Sequence, residues 1–211
     1  DYIIDPSEGL PLEEAISHTL QLIHHFISNN VTLIRYQGTE EIQKGLRETA
    51  DFLIKRLLTY TAFKYKTIDN SFLLRIYYVA DASLNALALE YLEYQLSRQE
   101  HKTLMPIFIH RNNLINIKQH LDRIYGEKRY TLQECLQNIL DARMHVTLWG
   151  LASALMYIGS HEIKHFSDQL CRFFNDRAPL LVEVAYYNLY RLDRKAFMKR
   201  KDEMASHPFA H

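Results

Sequence analysis

Three observations predict an all-α fold made of antiparallel helix pairs. Apolar residues recur at helical spacing along nearly the whole chain, and no run alternates convincingly at period two. Only 6 Gly and 5 Pro are spread over 211 residues, too little material for the turns of a sandwich or barrel. In the last third, small-then-aliphatic helix positions recur at a fixed interval, as they do in repeated units. The chain is 47% hydrophobic and 24% charged, a composition that folds, and its length allows about 70% of the unfolded surface to be buried.

The elements follow in order. Leu12, Ile16, Leu20, Ile23, Phe26 and Ile27 form one helical stripe between Pro11 and Asn29, with Glu13 and Glu14 at the positive helix end. An extended link is expected from Val31 to Tyr36. Thr39 then reads as the N-cap of a helix carrying Ile42, Leu46, Ala50, Leu53 and Leu57 to about Tyr60, with Gly45 tolerated inside it. Ser71–Val79 and Ser83–Leu96 read as a pair broken at Ala80-Asp81-Ala82. Pro106 should limit a short helix starting near His101. Leu114, Ile117, Leu121 and Ile124 mark the next helix, stopped by Gly126. Thr131 and Glu134 form a capping-box pattern ahead of Leu132, Leu136, Ile139 and Leu140. Val146–Ile158 should end at Gly159 as a left-handed cap. His161–Phe174, a turn at Asn175-Asp176, and Pro179–Leu192 complete the pattern.

The second helices repeat. Ala154 with Ile158 and Ala185 with Leu189 are offset by 31 residues, and Ala88 with Leu92 shows the same spacing 66 residues before Ala154. A small residue admits close helix approach while the aliphatic one fills the groove. The run from Asp176 through Arg177-Ala178-Pro179 to Asp193 resembles the second half of a HEAT-like repeat, and Leu148–Gly159 and Leu84–Glu93 resemble the same half-unit. The order of these segments is similar to the HEAT-like region of bacterial transporter-related proteins of the major facilitator or nucleotide-translocase type. That resemblance covers about Ser71 to Asp193. It implies an α-α superhelix of the HEAT or armadillo kind and a scaffold surface without catalytic residues. The expected organisation is N-terminal helices over residues 1–60, a repeat region over 61–196 and a basic, polar tail over 197–211.

Composition removes several functional classes. The 25 Lys and Arg balance 25 Asp and Glu, so the strong positive field of a dedicated nucleic-acid binder is absent. No Gly-rich phosphate loop occurs. No stretch approaches 18 consecutive apolar residues, so the sequence itself does not span a membrane. Cys135 and Cys171 are too few for a disulfide framework and read as buried small residues in a reduced, cytoplasmic setting. Beginning at Asp1, the chain reads as a piece of a longer protein. The resemblance would attach it to a membrane protein through flanking sequence.

His161-Glu162-Ile163-Lys164-His165 is a literal H-E-x-x-H. On a helix it would place two imidazoles on one face with a Glu to activate water, and Glu183 could then act as a third ligand. Against that zinc-hydrolase alternative, Lys164 puts a cation beside the metal, and Gly159-Ser160 place the motif at a helix start. The favoured reading is a solvated helix end, with no metal or cofactor. His18, His24 and His25 form a second cluster, in which adjacent His24 and His25 cannot share a face. Trp149 reads as core or inter-repeat packing. Arg191, Arg194, Lys195, Lys199, Arg200 and Lys201 form a basic run suited to a helix C-terminus or an anionic surface. Glu183, Tyr187 and Arg191 form an i, i+4, i+8 stripe opposite Ala185 and Leu189 and are the candidate binding residues. The expected function is a non-catalytic scaffold or regulatory module that binds a protein partner or another domain of its own polypeptide.

Overall fold

The computed structural model describes residues 11–65 and 81–204, together with Leu73, Arg75, Tyr78 and Val79, with side chains as far as Lys199. All regular structure among these residues is helical. The helices are α1 (Leu12–Leu33), α2 (Glu40–Lys64), α3 (Ala82–Gln95), α4 (Arg98–Ile109), α5 (Leu114–Tyr125), α6 (Leu132–Asp141) and α7 (Leu148–Ser160). After a 3₁₀ turn (Lys164–Phe166) come α8 (Ser167–Cys171), α9 (Pro179–Leu192) and α10 (Arg194–Met204). The all-α expectation holds. The expected helix over Ser71–Val79 lies largely outside the described residues. The chain divides into two compact units, one of residues 1–31 and 47–130 and the other of 32–46 and 131–211.

Within the first unit, α1 buries Leu20, Ile23, Phe26 and Ile27, as its stripe requires. The α3 helix is capped by Asp81, whose carboxylate accepts the amides of Ser83 (2.8 Å) and Leu84 (3.1 Å). It buries Ala88 and Leu92 and leaves Leu84, Leu87, Tyr91 and Tyr94 exposed. The expectation for α4 needs correction. It starts at a Ser97/Glu100 capping box, earlier than His101, and passes through Pro106 to Ile109. Burial of Leu104, Met105, Ile107 and Phe108 on either side of the proline carries the helix onward, and the His110 amide closes back on the Pro106 carbonyl at 3.1 Å. Beside this turn His120 Nε2 donates to the Thr103 carbonyl at 2.9 Å. Gly126 ends α5 with φ +87°, a conformation that needs glycine.

The expected extended link from Val31 is instead the last turn of α1. Asn29, where the expected helix ends, is buried inside it, and its side-chain amide bonds back to the His25 carbonyl at 2.9 Å. The Thr39 hydroxyl lies 2.9 Å from the Leu33 carbonyl and 2.7 Å from that of Tyr36, so it ties the end of α1 to the start of α2.

Two successive helix pairs occupy most of the second unit, α6 with α7 and α8 with α9. The Thr131/Glu134 capping box forms as expected and starts α6, and Thr147 caps α7 by accepting the Gly150 amide at 3.2 Å. Side-chain contacts then join the pairs at separations of 31 to 33 residues. Gln169 donates to Gln137 at 3.0 Å and Arg172 to Asp141 at 3.4 Å. Arg143 approaches Asp176 at 3.7 Å, and Asn188 approaches the Met156 sulfur at 3.4 Å. The sequence period of 31 is thus matched by contacts at close to that separation between consecutive pairs. Ala154, Ile158, Ala185 and Leu189 are all fully buried.

Two further expectations are overturned here. Gly159 does not cap α7, because the helix runs on to Ser160 and the left-handed conformation falls on Glu162, φ +53°. Gly159 is instead a point of close approach, since a Cβ there would lie 1.8 Å from Asn188 Oδ1. The helix expected over His161–Phe174 is replaced by the 3₁₀ turn and the five-residue α8. The last described helix, α10, runs from Arg194 to Met204.

Candidate functional site

The H-E-x-x-H segment lies outside any helix interior. His161 is the C-cap of α7, its ring stacked on Tyr157 with centroids 3.9 Å apart and its Nδ1 3.0 Å from the Tyr157 carbonyl. Glu162 is left-handed, and His165 sits in the 3₁₀ turn with its ring against Phe166. The two histidines thus do not stand one α-turn apart, which is the geometry the zinc reading needs. Among the described residues no group of three His, Cys, Asp or Glu side chains is placed to hold a metal. Burial pushes the Cys135 thiol up to about 12, so it holds little thiolate near neutrality.

The N-terminal histidines divide by environment. His24 is fully buried and its Nε2 lies 2.7 Å from Asp122 Oδ1, while Lys118 Nζ meets the other carboxylate oxygen at 2.6 Å. His25 Nδ1 lies 3.3 Å from the Tyr130 hydroxyl. These bonds, with the Lys128 amide 3.4 Å from Asp122, tie the irregular residues after α5 back to α1. Burial lowers the His24 pKa, Asp122 opposes the shift, and Lys128 reinforces it. Burial together with Lys128 and His24 pushes His25 down to about 4. Burial also works against ionisation of Asp122, but the bonds from Lys118 and His24 outweigh it and hold that carboxyl below its usual range. All three groups are held in the form that packing dictates.

A second polar cluster surrounds Lys64, whose amine bonds Glu13 at 2.8 Å and Glu100 at 3.0 Å beside a groove of about 350 Å³. Glu100 also accepts from the Tyr65 and Ser97 hydroxyls. Burial opposes its ionisation, yet the bonds from Ser97, Tyr65 and Lys64 prevail and hold it at about 2. Its carboxylate serves as the α4 capping group, and its charge is spent on local donors.

The candidate residues on α9 stand differently. Glu183, Tyr187 and Arg191 are all exposed, on the face turned away from buried Ala185 and Leu189. The Arg191 guanidinium lies over the Tyr187 ring, 5.6 Å from its centroid. One turn on, Arg194 lies over Tyr190 at 5.5 Å, and Tyr190 meets Phe197 edge-on at 5.1 Å. Trp149 corrects the sequence reading, being 68% exposed and packed into no core. It lies seven residues before Met156, also exposed, on the side of α7 opposite Ala154 and Ile158. In the 31-residue register exposed Met156 corresponds to exposed Tyr187 and exposed Ser160 to exposed Arg191, whereas Glu183 corresponds to buried Ala152. Trp149 and Met156 are the residues that sequence reasoning passed over. Their i, i+7 spacing, off the Ala-x-x-x-Ile stripe, carried the signal.

No protein-family model, curated protein or solved structure matches the chain. Among the described residues no helix is long and apolar enough to cross a membrane.

Proposed function

We propose that the chain is a non-catalytic scaffold or regulatory module, and that the second unit is a short HEAT-like array. Its second helices, α7 and α9, present a face that binds a segment of another protein or another domain of the same polypeptide. The observation that carries this reading is the exposure of Trp149, Met156, Tyr187 and Arg191 on equivalent faces of two packed helices. Aromatic and Arg side chains bury much area at small entropic cost and dominate binding energy where they become desolvated. Contacts at close to the 31-residue period support the repeat assignment, because units that repeat their sequence also repeat their neighbours.

A photo-crosslinking amino acid placed at Tyr187 or Met156 tests the reading, with the same group at Ser167 on the first-helix side as control. Crosslinks from the first two positions that disappear on Arg191→Ala, with helicity by circular dichroism unchanged, are the expected result. Equal capture from all three positions would overturn it.

A further inference from the structure

Resting on that reading of the second-helix face, we infer that its ligand is an acidic peptide segment carrying a large apolar side chain. The apolar residue would lie over Trp149, Met156 and Tyr187, and the carboxylates would point toward the α9–α10 junction.

The argument begins with charge. Arg191, Arg194, Lys195 and Lys199 are all exposed, and among the described residues none is engaged in an ion pair. Asp193, the acid lying within this run, is half-buried and turned to another task, since its carboxylate caps α10 by accepting the Ala196 amide at 2.9 Å. By sequence the run Arg191–Glu203 holds six Lys and Arg against Asp193, Asp202 and Glu203, a net of +3 on a chain whose formal charge is zero. That excess is therefore a feature of this place rather than of the whole composition.

Geometry then distinguishes the kind of anion. Two of the cations are guanidinium groups held over tyrosine rings, Arg191 on Tyr187 and Arg194 on Tyr190. A guanidinium lying over an aromatic ring retains N–H groups that can make the two-pronged bond to a carboxylate. The apolar half of the site lies beside these arginines and on the adjacent helix. A purely electrostatic contact would not need Trp149, which is 68% exposed on α7. Exposed apolar and cationic groups set along two helices rather than as one continuous apolar face below the cations favour a peptide over a membrane surface. Glu183 fixes the direction. It stands one turn before Tyr187, at the end of the α9 stripe away from Arg191, and repels acidic residues there, so the acidic part of the ligand belongs at the Arg191 end.

The test is selection from a random peptide library displayed on phage, using the intact 211-residue chain as bait, followed by titration of the selected peptides as synthetic probes. The expected sequences pair an aromatic or aliphatic anchor with two or more Asp or Glu on one side. Arg191→Gln with Arg194→Gln should weaken them about tenfold or more, Glu183→Lys should tighten them, and added salt should weaken them. Peptides that bind through Tyr187 and Trp149 without acidic preference would overturn this inference and leave the binding face standing. Peptides insensitive to both Tyr187→Ala and Trp149→Ala, or no selection at all, would overturn the face as well. Binding to phosphatidylserine-containing vesicles that is lost in the double Arg variant, with no acidic peptide selected, would assign the cations to a membrane instead. Glu183→Lys keeps the test decisive if the double variant misfolds, because it adds an exposed cation and removes nothing from the core.

Discussion

Single residues settle much of the second unit, and two glycines do so most directly. A Cβ on Gly45 would lie 2.4 Å from Gly150 Cα and 2.9 Å from its amide, so α2 and α7 meet backbone to backbone. Ala is intrinsically better than Gly in a helix by about 1 kcal/mol. Overpacking against main chain that has no side chain to swing away costs roughly 1–3 kcal/mol and outweighs that gain. Gly45→Ala should therefore lower stability by about 1 kcal/mol or more in urea melts, whereas an uncrowded helix glycine would gain from the same change. Gly159→Ala should also be destabilising, here because the new Cβ would meet the buried Asn188 side chain as far in as its own Cβ, at 2.7 Å, where turning the amide away gives no relief.

His25 makes the other prediction at this scale. Its ordinary value is 6.5 and the fold holds it at about 4, so the unfolded chain binds more protons throughout that interval. Its contribution to stability is complete above about 6.5 and declines as pH falls toward 4. Urea midpoints measured from pH 7.5 to 5 should fall with acidity, and the fall should be shallower in His25→Gln. A slope unchanged by the substitution would place the titrating group elsewhere.

Elements were legible where their signal was local. The Thr131/Glu134 box and the Pro179 start are written in consecutive residues and appear where expected. Thr131→Ala should remove the hydroxyl that accepts the Glu134 amide and cost about 1 kcal/mol, measurable as a shifted melting midpoint with unchanged helicity at low temperature. Failures came where tertiary contact overrode a local cue. Pro106 reads as a stop, but burial on both sides of it carries α4 past. Asn29 reads as the last residue of the first helix, but that helix runs on to Leu33 and the Asn29 amide bonds back within it. Gly159 reads as a cap because sequence cannot show that Asn188 of the next pair occupies the place of its Cβ. The H-E-x-x-H segment reads as a helix start, whereas His161 closes the preceding helix and Glu162 adopts φ +53°.

At the scale of the molecule, the period of 31 in sequence is matched by bonds at close to that separation, Gln169 to Gln137 and Arg172 to Asp141 among them. That period lets exposed residues on α7 and α9 be compared position by position. The α9 half of the candidate face was readable as an i, i+4, i+8 stripe. The α7 half was not, because tryptophan is normally a core residue and only the fold reveals that Trp149 points away from Ala154 and Ile158.

Trp149 is also the single tryptophan of the chain, which makes its fluorescence the most direct test of the binding-face account. In the isolated folded protein its emission should be that of a water-exposed indole, open to collisional quenching by acrylamide. It should move to the blue and become shielded as a face-binding peptide is added. A blue, quencher-resistant emission in the free protein, reddening only on unfolding, would mean that Trp149 is packed, that the second-helix face is not free, and that the account is wrong.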